Sequence, residues 1–509
     1  MLKRILPLFL LTLILSLSCS REDSMENQKI VIPENQKIPL TPAQINAKID
    51  AAINSNGTFN WRQADSYLIW SAVVNGNNVV TIGFGNSKTN FERAKTSNNA
   101  KLQNDLLAII MKYENTTLDK ILISADTDLN LMDVIISKQE TIIALRESKY
   151  IRYIEPGDYK YLAVRESLKG PGVSTNSNVG TSSGCGYDSE ILDAADYTTT
   201  TPNAKIPWTF TQHNIPNAWN ISTGSGVTIG IVDTGVSPNQ SLLGANFNNG
   251  LSSGRTIQKN GVYVDSIWPW STGTDGVNDL CGHGTSMAST AAAPRNDKGL
   301  PVGVAYNANL VTYRAAYNVV LDGYQEQEGV KKAFTALGNN TKVKIISMSM
   351  GYVFSVGKIE DAIKFAYGKG KLIFCAAGTS TSFTTFVGVI FPAWMPETLA
   401  VTGVKEGSTY QACSDCHTGS KVEFTVAMQR AVSGNTVPVS SYYENLTDYI
   451  GGSSVATATT AGIAALVWSK NPTWTRDQVL NKMRQSASLY PNKSAEYGYG
   501  NVNAFLAVQ

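Results

Sequence analysis

Val227-Thr-Ile-Gly-Ile-Val-Asp233-Thr-Gly235 is the stretch that decides the fold. Residues 227–232 are predominantly apolar and too few for a helix, which is the pattern of a strand buried on both faces. The run ends on a carboxylate followed by small residues. Working outward, similar apolar runs lie at 309–313, 343–349, 372–377 and 399–404. Helical patterns fall between them at 284–293, 329–337 and 358–367, the last two stopped by Gly338 and Gly368. Strands apolar on both faces and separated by helices predict a three-layer α/β fold, a parallel sheet covered by helices on both sides. Ligands in such sheets gather at the carboxyl ends of strands, where Asp233 stands.

The chain has 509 residues, 43% hydrophobic and 16% charged, enough for a large core and for about two or three domains. Its net charge is +2 with no long basic run, so composition gives no reason to invoke nucleic acid or an anionic surface as a partner. Lys3 and Arg4 precede an apolar run at 5–17 that is too short to span a bilayer and reads as an export signal, residues 1–18. The run ends in Leu15-Ser-Leu-Ser-Cys19, which resembles a bacterial lipobox, although Leu17 stands where a small residue is usual. Cys19 is therefore the candidate lipidation site, and a lipid-anchored or secreted location is expected.

Residues 19–60 read as a tether, with the near-repeat Glu26-Asn-Gln-Lys-Ile30 and Glu34-Asn-Gln-Lys-Ile38 among prolines. A small α+β domain is expected over 61–158. Its elements are a strand at 67–84, a helix at 100–113, strands at 120–124 and 131–137, a helix at 140–148 and a strand at 150–154. Residues 159–203 are rich in Gly, Ser, Asn and Thr and form a linker open to processing, and the sheet domain occupies 204–509.

Cys185, Cys281, Cys375, Cys413 and Cys416 are an odd number for an oxidising compartment. Cys375 lies in an apolar run and is the expected free thiol, while the other four allow three pairings. Cys413-Ser-Asp-Cys416-His417 also matches the c-type haem attachment pattern, which gives a rival reading as a haem-binding protein, and the same residues could hold zinc.

A serine nucleophile needs a base, and the base needs a partner that fixes its tautomer. Of the three histidines, His283 in Cys281-Gly-His283-Gly-Thr285 opens a small-residue helix, whereas His213 reads as a packing or surface residue and His417 lies in the cysteine loop. Gly284-Thr-Ser286-Met-Ala288 imitates a nucleophile motif, but Ser286 shares the helix of His283. Gly451-Gly-Ser453-Ser454-Val-Ala456 instead precedes a long Ala/Thr-rich helix, which places Ser454 at a positively polarised N-terminus.

These three segments, with Asp, His and Ser in that chain order, resemble the subtilisin-like serine proteases, or subtilases, for which this order is known. The resemblance covers about 205–508. It implies a subtilisin-like catalytic domain behind a ferredoxin-like prodomain that inhibits the precursor, polypeptide substrates, a monomer and no cofactor. Asp233, His283 and Ser454 are then the catalytic residues.

Thr379 follows Ala376-Ala-Gly378 where the family has Asn, and it becomes the candidate oxyanion donor of a working but slower enzyme. Ser453 and Ala458 replace the usual Thr and Pro. Ser349, Met350 and Gly351 resemble the edge that pairs with substrate backbone, with Gly351 leaving room for a side chain in the first pocket. Phe391-Pro392-Ala-Trp394 resembles the opposite pocket wall, and neither segment carries an acid, so apolar or aromatic residues are expected before the scissile bond. Many relatives place an acidic calcium ligand shortly after the Asp; residues 236–242 have none, and no metal site is assigned. Thr379 also motivates an alternative, a catalytically impaired subtilase fold used for binding.

Overall fold

The computed structural model describes residues 30–93, 97–167, 185–187, 189–379, 388–407 and 409–509. The export signal and Cys19 lie outside them. The chain divides into two compact units, Met1–Lys37 and Ile38–Gln509. The described part of the first carries a single 3-10 turn, Glu34–Gln36.

The expected tether is much shorter than 19–60, because helix α1 (Pro42–Asn56) begins within it. Thr41 and Gln44 form a reciprocal capping box, Pro42 takes the first helical position, and Gly57 closes the helix at φ +74°. Ile45, Ile49 and Ile53, spaced by four, form its buried face. Pro42 was read as a linker proline, but after Thr41 it is a helix start.

The strand expected over 67–84 is in fact two elements. Asp65 caps helix α2 (Ser66–Val74) through the Leu68 N–H, and Asn77 and Asn78, both at positive φ, turn the chain into strand β1 (Val79–Phe84). Residues 67–74 are apolar all round, so periodicity alone does not separate helix from strand there. There follow α3 (Ser97–Glu114), β2 (Leu122–Ala125), β3 (Leu131–Ile135), α4 (Gln139–Arg146) and β4 (Ile151–Pro156). The antiparallel sheet has the order β2-β3-β1-β4, which is the split β-α-β arrangement expected from the element order. A short helix α5 (Tyr161–Ser167) leaves this domain.

The second domain is built on seven parallel strands: β5 (Thr228–Asp233), β6 (Ile257–Gly261), β7 (Asn309–Arg314), β8 (Val343–Met348), β9 (Leu372–Ala376), β10 (Leu399–Lys405) and β11 (Val422–Gln429). Their spatial order is β11-β10-β9-β8-β5-β7-β6. Strand direction of travel reverses beside β5, so the crevice at its carboxyl end is the topological switch point. β6 went unseen in the sequence because it is a polar edge strand, half-exposed along its length.

On one face of the sheet lie α6 (His283–Ala292) and the buried α9 (Gly452–Lys470), packed side by side. On the other lie α7 (Tyr324–Asn339) and α8 (Gly357–Gly368), whose Phe334, Leu337, Ile359 and Ile363 are fully buried. Helices α10 (Arg476–Ser486) and α11 (Ala504–Val508) finish the chain.

The small domain sits on α7 and α8. Arg152 grips Asp361 with two bonds, of 2.9 and 2.6 Å, and the Tyr153 hydroxyl donates to the same carboxylate at 2.8 Å. Glu155 accepts the Gly357 N–H at 2.7 Å and Asp158 accepts the Tyr324 N–H at 3.1 Å, so each carboxylate meets the start of one helix. Lys358 is buried between Asp133 of the small domain, at 3.0 Å, and Glu328 of α7, at 3.3 Å.

Candidate active site

Asp233 is the last residue of β5, almost wholly buried, and its Oδ1 accepts two bonds: the Thr234 N–H at 2.8 Å and His283 Nδ1–H at 2.7 Å. That bond places the imidazole proton on Nδ1 and leaves Nε2 as the basic nitrogen. His283 can reach Asp233 because its helix begins unusually close to the strand. Gly282 enters α6 at φ +90°, and a Cβ on Gly284 would stand 2.4 Å from the Gly235 carbonyl oxygen. Burial lowers the His283 pKa, but the charge of Asp233 and its hydrogen bond outweigh that, with a further push from Asp279, and the net shift is upward.

Asp279 is the functional residue the sequence reading passed over. Its carboxylate is buried and accepts five bonds: Thr234 Oγ1 at 2.9 Å, the Cys281 and Gly282 N–H groups at 2.8 Å each, the Thr285 N–H at 2.9 Å and Thr285 Oγ1 at 2.7 Å. Thr234 Oγ1 in turn accepts the Gly284 N–H at 2.9 Å. The residue after Asp233 and the first turn carrying His283 are thus bonded to one carboxylate. An acid four residues before the histidine, just ahead of a helix start, was the available signal.

Ser454 lies in the first turn of α9, half-buried, and its carbonyl accepts Ser349 Oγ at 3.1 Å. Ser454 Oγ and His283 are not hydrogen-bonded to each other in this structure; bonds between a nucleophile and its base are often long outside the catalytic complex. Ser286 is no competitor, because its hydroxyl donates back to the Gly282 carbonyl within α6. Thr379 follows the end of β9 and reaches the same helix start. Its Oγ1 accepts the Ser453 N–H at 3.3 Å and lies 3.1 Å from Ser453 Oγ, which itself accepts the Gly378 N–H at 3.1 Å.

The substrate edge needs a correction at Gly351. Its N–H donates to the Val319 carbonyl at 3.0 Å and its carbonyl accepts the Leu321 N–H at 3.2 Å, so both groups are engaged by the chain itself. The space beside Gly351 is not open either: a Cβ there would lie 2.3 Å from Ile390 Cδ1 and 2.8 Å from the Phe391 oxygen. This wall by itself requires a glycine here. Ser349 stays beside Ser454 through its bond to that carbonyl, and both Ser349 and Met350 are buried. Asp322, next after this segment, accepts the Leu162 and Ala163 N–H groups at the start of α5 and the Tyr352 hydroxyl.

Cys185 pairs with Cys281, Cys413 pairs with Cys416, and Cys375 is free and buried, as expected of it. The Cys413–Cys416 disulfide removes the thiols that haem attachment or zinc would require, which overturns both readings of Cys413-x-x-Cys416-His417. His417 is buried with Nδ1 2.8 Å from the Gly388 carbonyl. His213 is a packing residue, its Nδ1 on the Val502 carbonyl and its Nε2 accepting the Ala427 N–H, and burial presses its pKa down to about 4. In the segment after Asp233, Gln240 donates its amide to the Ser441 and Tyr443 carbonyls.

A covered parallel sheet, with a buried Asp–His pair at its switch point and a serine opening the adjacent helix, defines a class of α/β serine hydrolases. The sequence profile of the subtilase family matches residues 224–500. M-protease of Shouchella clausii is 29% identical over 315 residues, covering 62% of this chain and 73% of the relative. Subtilisin E of Bacillus subtilis is 30% identical over 297 residues, covering 56% and 67% respectively. Fervidolysin from Fervidobacterium pennivorans superposes with a TM-score of 0.56 at 15% identity, over 85% of this chain and 61% of that one, a likeness of fold. The chain belongs to the subtilase family and is a serine-type endopeptidase with a subtilisin-like fold.

Proposed function

We propose that Asp233, His283 and Ser454 form the catalytic triad, and that the chain is made as an exported zymogen. The observation that carries the triad is the 2.7 Å bond between Asp233 and His283, on a helix that packs against α9, whose first turn holds Ser454. Ser454 Oγ attacks the peptide carbonyl carbon as its proton passes to His283 Nε2, and Asp233 stabilises the imidazolium. The tetrahedral intermediate collapses, Nε2 gives that proton to the departing amine, and the acyl-enzyme is hydrolysed by water through the same relay. The Ser454 N–H and the Thr379 hydroxyl hold the oxyanion. The hydrophobic wall of Phe391 and Trp394, with rings 5.9 Å apart, favours apolar or aromatic residues before the scissile bond.

The small domain acts as the inhibitor. Support comes from its carboxylates on the starts of α7 and α8, and from Asp322, which joins the departing helix α5 to the segment pairing with Gly351. Cleavage in the linker, 159–203, separates it from the enzyme. Cys19 is the proposed lipid anchor of an exported form.

The test is fluorophosphonate labelling of purified protein beside Ser454→Ala, with label position and new N-terminus read by mass spectrometry. Labelling at Ser454, with loss of the small domain only in the wild type, is expected. A folded wild-type chain that has lost its small domain yet takes no label would leave a binding scaffold instead.

A further inference from the structure

Residues 185–187 lie apart from the sheet, yet they are fastened to the loop that leads into His283. Cys185 is bonded to Cys281, the Gly186 N–H donates to the Cys281 carbonyl at 2.8 Å, and the Tyr187 hydroxyl donates to the Leu280 carbonyl. The fit is close: a Cβ on Gly282 would stand 2.2 Å from the Gly186 oxygen. A little further on, the Glu190 N–H donates to the Thr447 carbonyl at 2.8 Å, and Thr447 Oγ1 donates back to the Glu190 carbonyl at 2.8 Å. Thr447 begins the second strand, Thr447–Ile450, of the hairpin that runs through Gly451 into α9 and Ser454. This strap therefore spans from the histidine loop to the hairpin that delivers the serine.

The chemistry says which part of a substrate passes there. The amine that leaves in acylation takes its proton from His283, so the residues after the scissile bond must run out past the histidine side. On the acyl side, by the reading above, lies Ser349, whose hydroxyl donates to the Ser454 carbonyl. Tyr187 is 42% exposed, its ring 4.6 Å from that of Tyr442, which is 5.0 Å from Tyr443.

We propose that the disulfide-held strap 185–187 is a wall of the leaving-group side of the cleft, and that Tyr187 selects the residues accepted immediately after the scissile bond. This rests on the triad reading above. The wall stays with the sheet domain through processing, because Cys185 is covalently bonded to Cys281.

The experiment uses the full chain after self-processing and a peptide library varied separately before and after the scissile bond. Variants are Tyr187→Ala, Tyr187→Phe, and Cys185→Ala combined with Cys281→Ala, each also labelled at Ser454 with fluorophosphonate. Ratios of kcat/KM between peptides are read, since they do not depend on the active fraction. In Tyr187→Ala and in the disulfide variant, preferences after the bond should shift by at least fivefold while those before it hold within twofold. Tyr187→Phe keeps the ring and should keep the wild-type ranking. A labelled enzyme whose ranking after the bond is unmoved in both variants, or moves equally on both sides, overturns the wall. Absence of label at Ser454 in the wild type overturns the triad, and the wall with it.

Discussion

Replacing Asp279 by Asn tests whether one buried carboxylate sets the position of His283. An asparagine with its carbonyl on the Oδ1 side keeps the bonds from Thr234, Cys281 and Gly282, but its amide then faces the Thr285 N–H, donor against donor. The Thr285 hydroxyl offers limited relief, because it already accepts the Ser237 N–H at 2.9 Å. Two bonds to a charged group are lost, at about 1.5–3 kcal/mol each. Part of this returns because a buried charge is no longer held out of water. The net destabilisation expected is about 1–3 kcal/mol, on the order of a few degrees in Tm for a chain of this size. The catalytic effect should be larger, since a displacement on the order of 1 Å costs about 100-fold in rate. The variant should therefore lose about 100-fold in kcat with KM within about twofold. Asp279 also helps raise the His283 pKa, so the acid limb of kcat/KM should move to lower pH. The assay is a pH profile on a chromogenic peptide together with a melting curve. A kcat within threefold of wild type and an unmoved acid limb would refute the positioning role.

Thr379→Ala should lower kcat by about 100-fold with KM little changed; the range of about 100- to 1000-fold for losing such a donor was measured in subtilisin, a relative, and is carried over from it. Equal steady-state rates for the two proteins would remove Thr379 from the oxyanion site. In the wild type, activity requires neutral His283, whose pKa is raised, so kcat/KM should climb through a pKa above 6.5, and a midpoint below that value contradicts the Asp233 pairing. The sign for stability is opposite: the protonated pair contributes fully below 6.5, and the contribution fades as pH rises through the native pKa. Burial pushes the Glu155 carboxyl up to about 7 against Arg62 and the Gly357 N–H, with Glu360 and Asp361 adding to the rise. Its contribution to docking the small domain is therefore whole below 4.5 and lost by about 7, so latency should weaken from about pH 4.5 to 7 and change little above that, and Glu155→Gln should flatten that dependence in an activation time course. Gly462→Ala should lower Tm despite better helix propensity, since the added methyl would lie 2.5 Å from Val304 Cβ at the contact between α9 and α6, and overpacking costs about 1–3 kcal/mol; a higher Tm would show that the crossing can yield.

The parts legible in sequence were those whose chemistry is local. Apolar runs such as 227–232 and 343–349 stand out because a strand covered on both faces has no alternation, and β6 does not because it is a polar edge. Asp233 and His283 could be named because each sits at an element end within a short, unusual motif. Asp279 and Asp322 were missed because their partners, Thr234 and Thr285 in one case and Leu162 and Tyr352 in the other, come together only in three dimensions. The wall at Gly351 was missed for the same cause: residues 319–321 and Ile390 meet it across the fold. The pairing of Cys185 with Cys281 joins residues 96 apart, and spacing left it open.

The contact of the small domain with α7 and α8 includes buried charge pairs, among them Arg152 with Asp361, Lys331 with Asp126, and Lys358 between Asp133 and Glu328. Buried pairs of this kind come close to breaking even against hydration, so they orient two surfaces more than they bind them. While the chain is whole, the connecting residues keep the two partners at an effective concentration on the order of millimolar. A cut in the linker proposed for processing, 159–203, would change none of those contacts, yet the local concentration would fall to that of the surroundings. If the small domain is the inhibitor proposed above, latency would end by dilution, and it would end faster for enzyme molecules spaced thinly over a surface than for the same molecules crowded in a small volume.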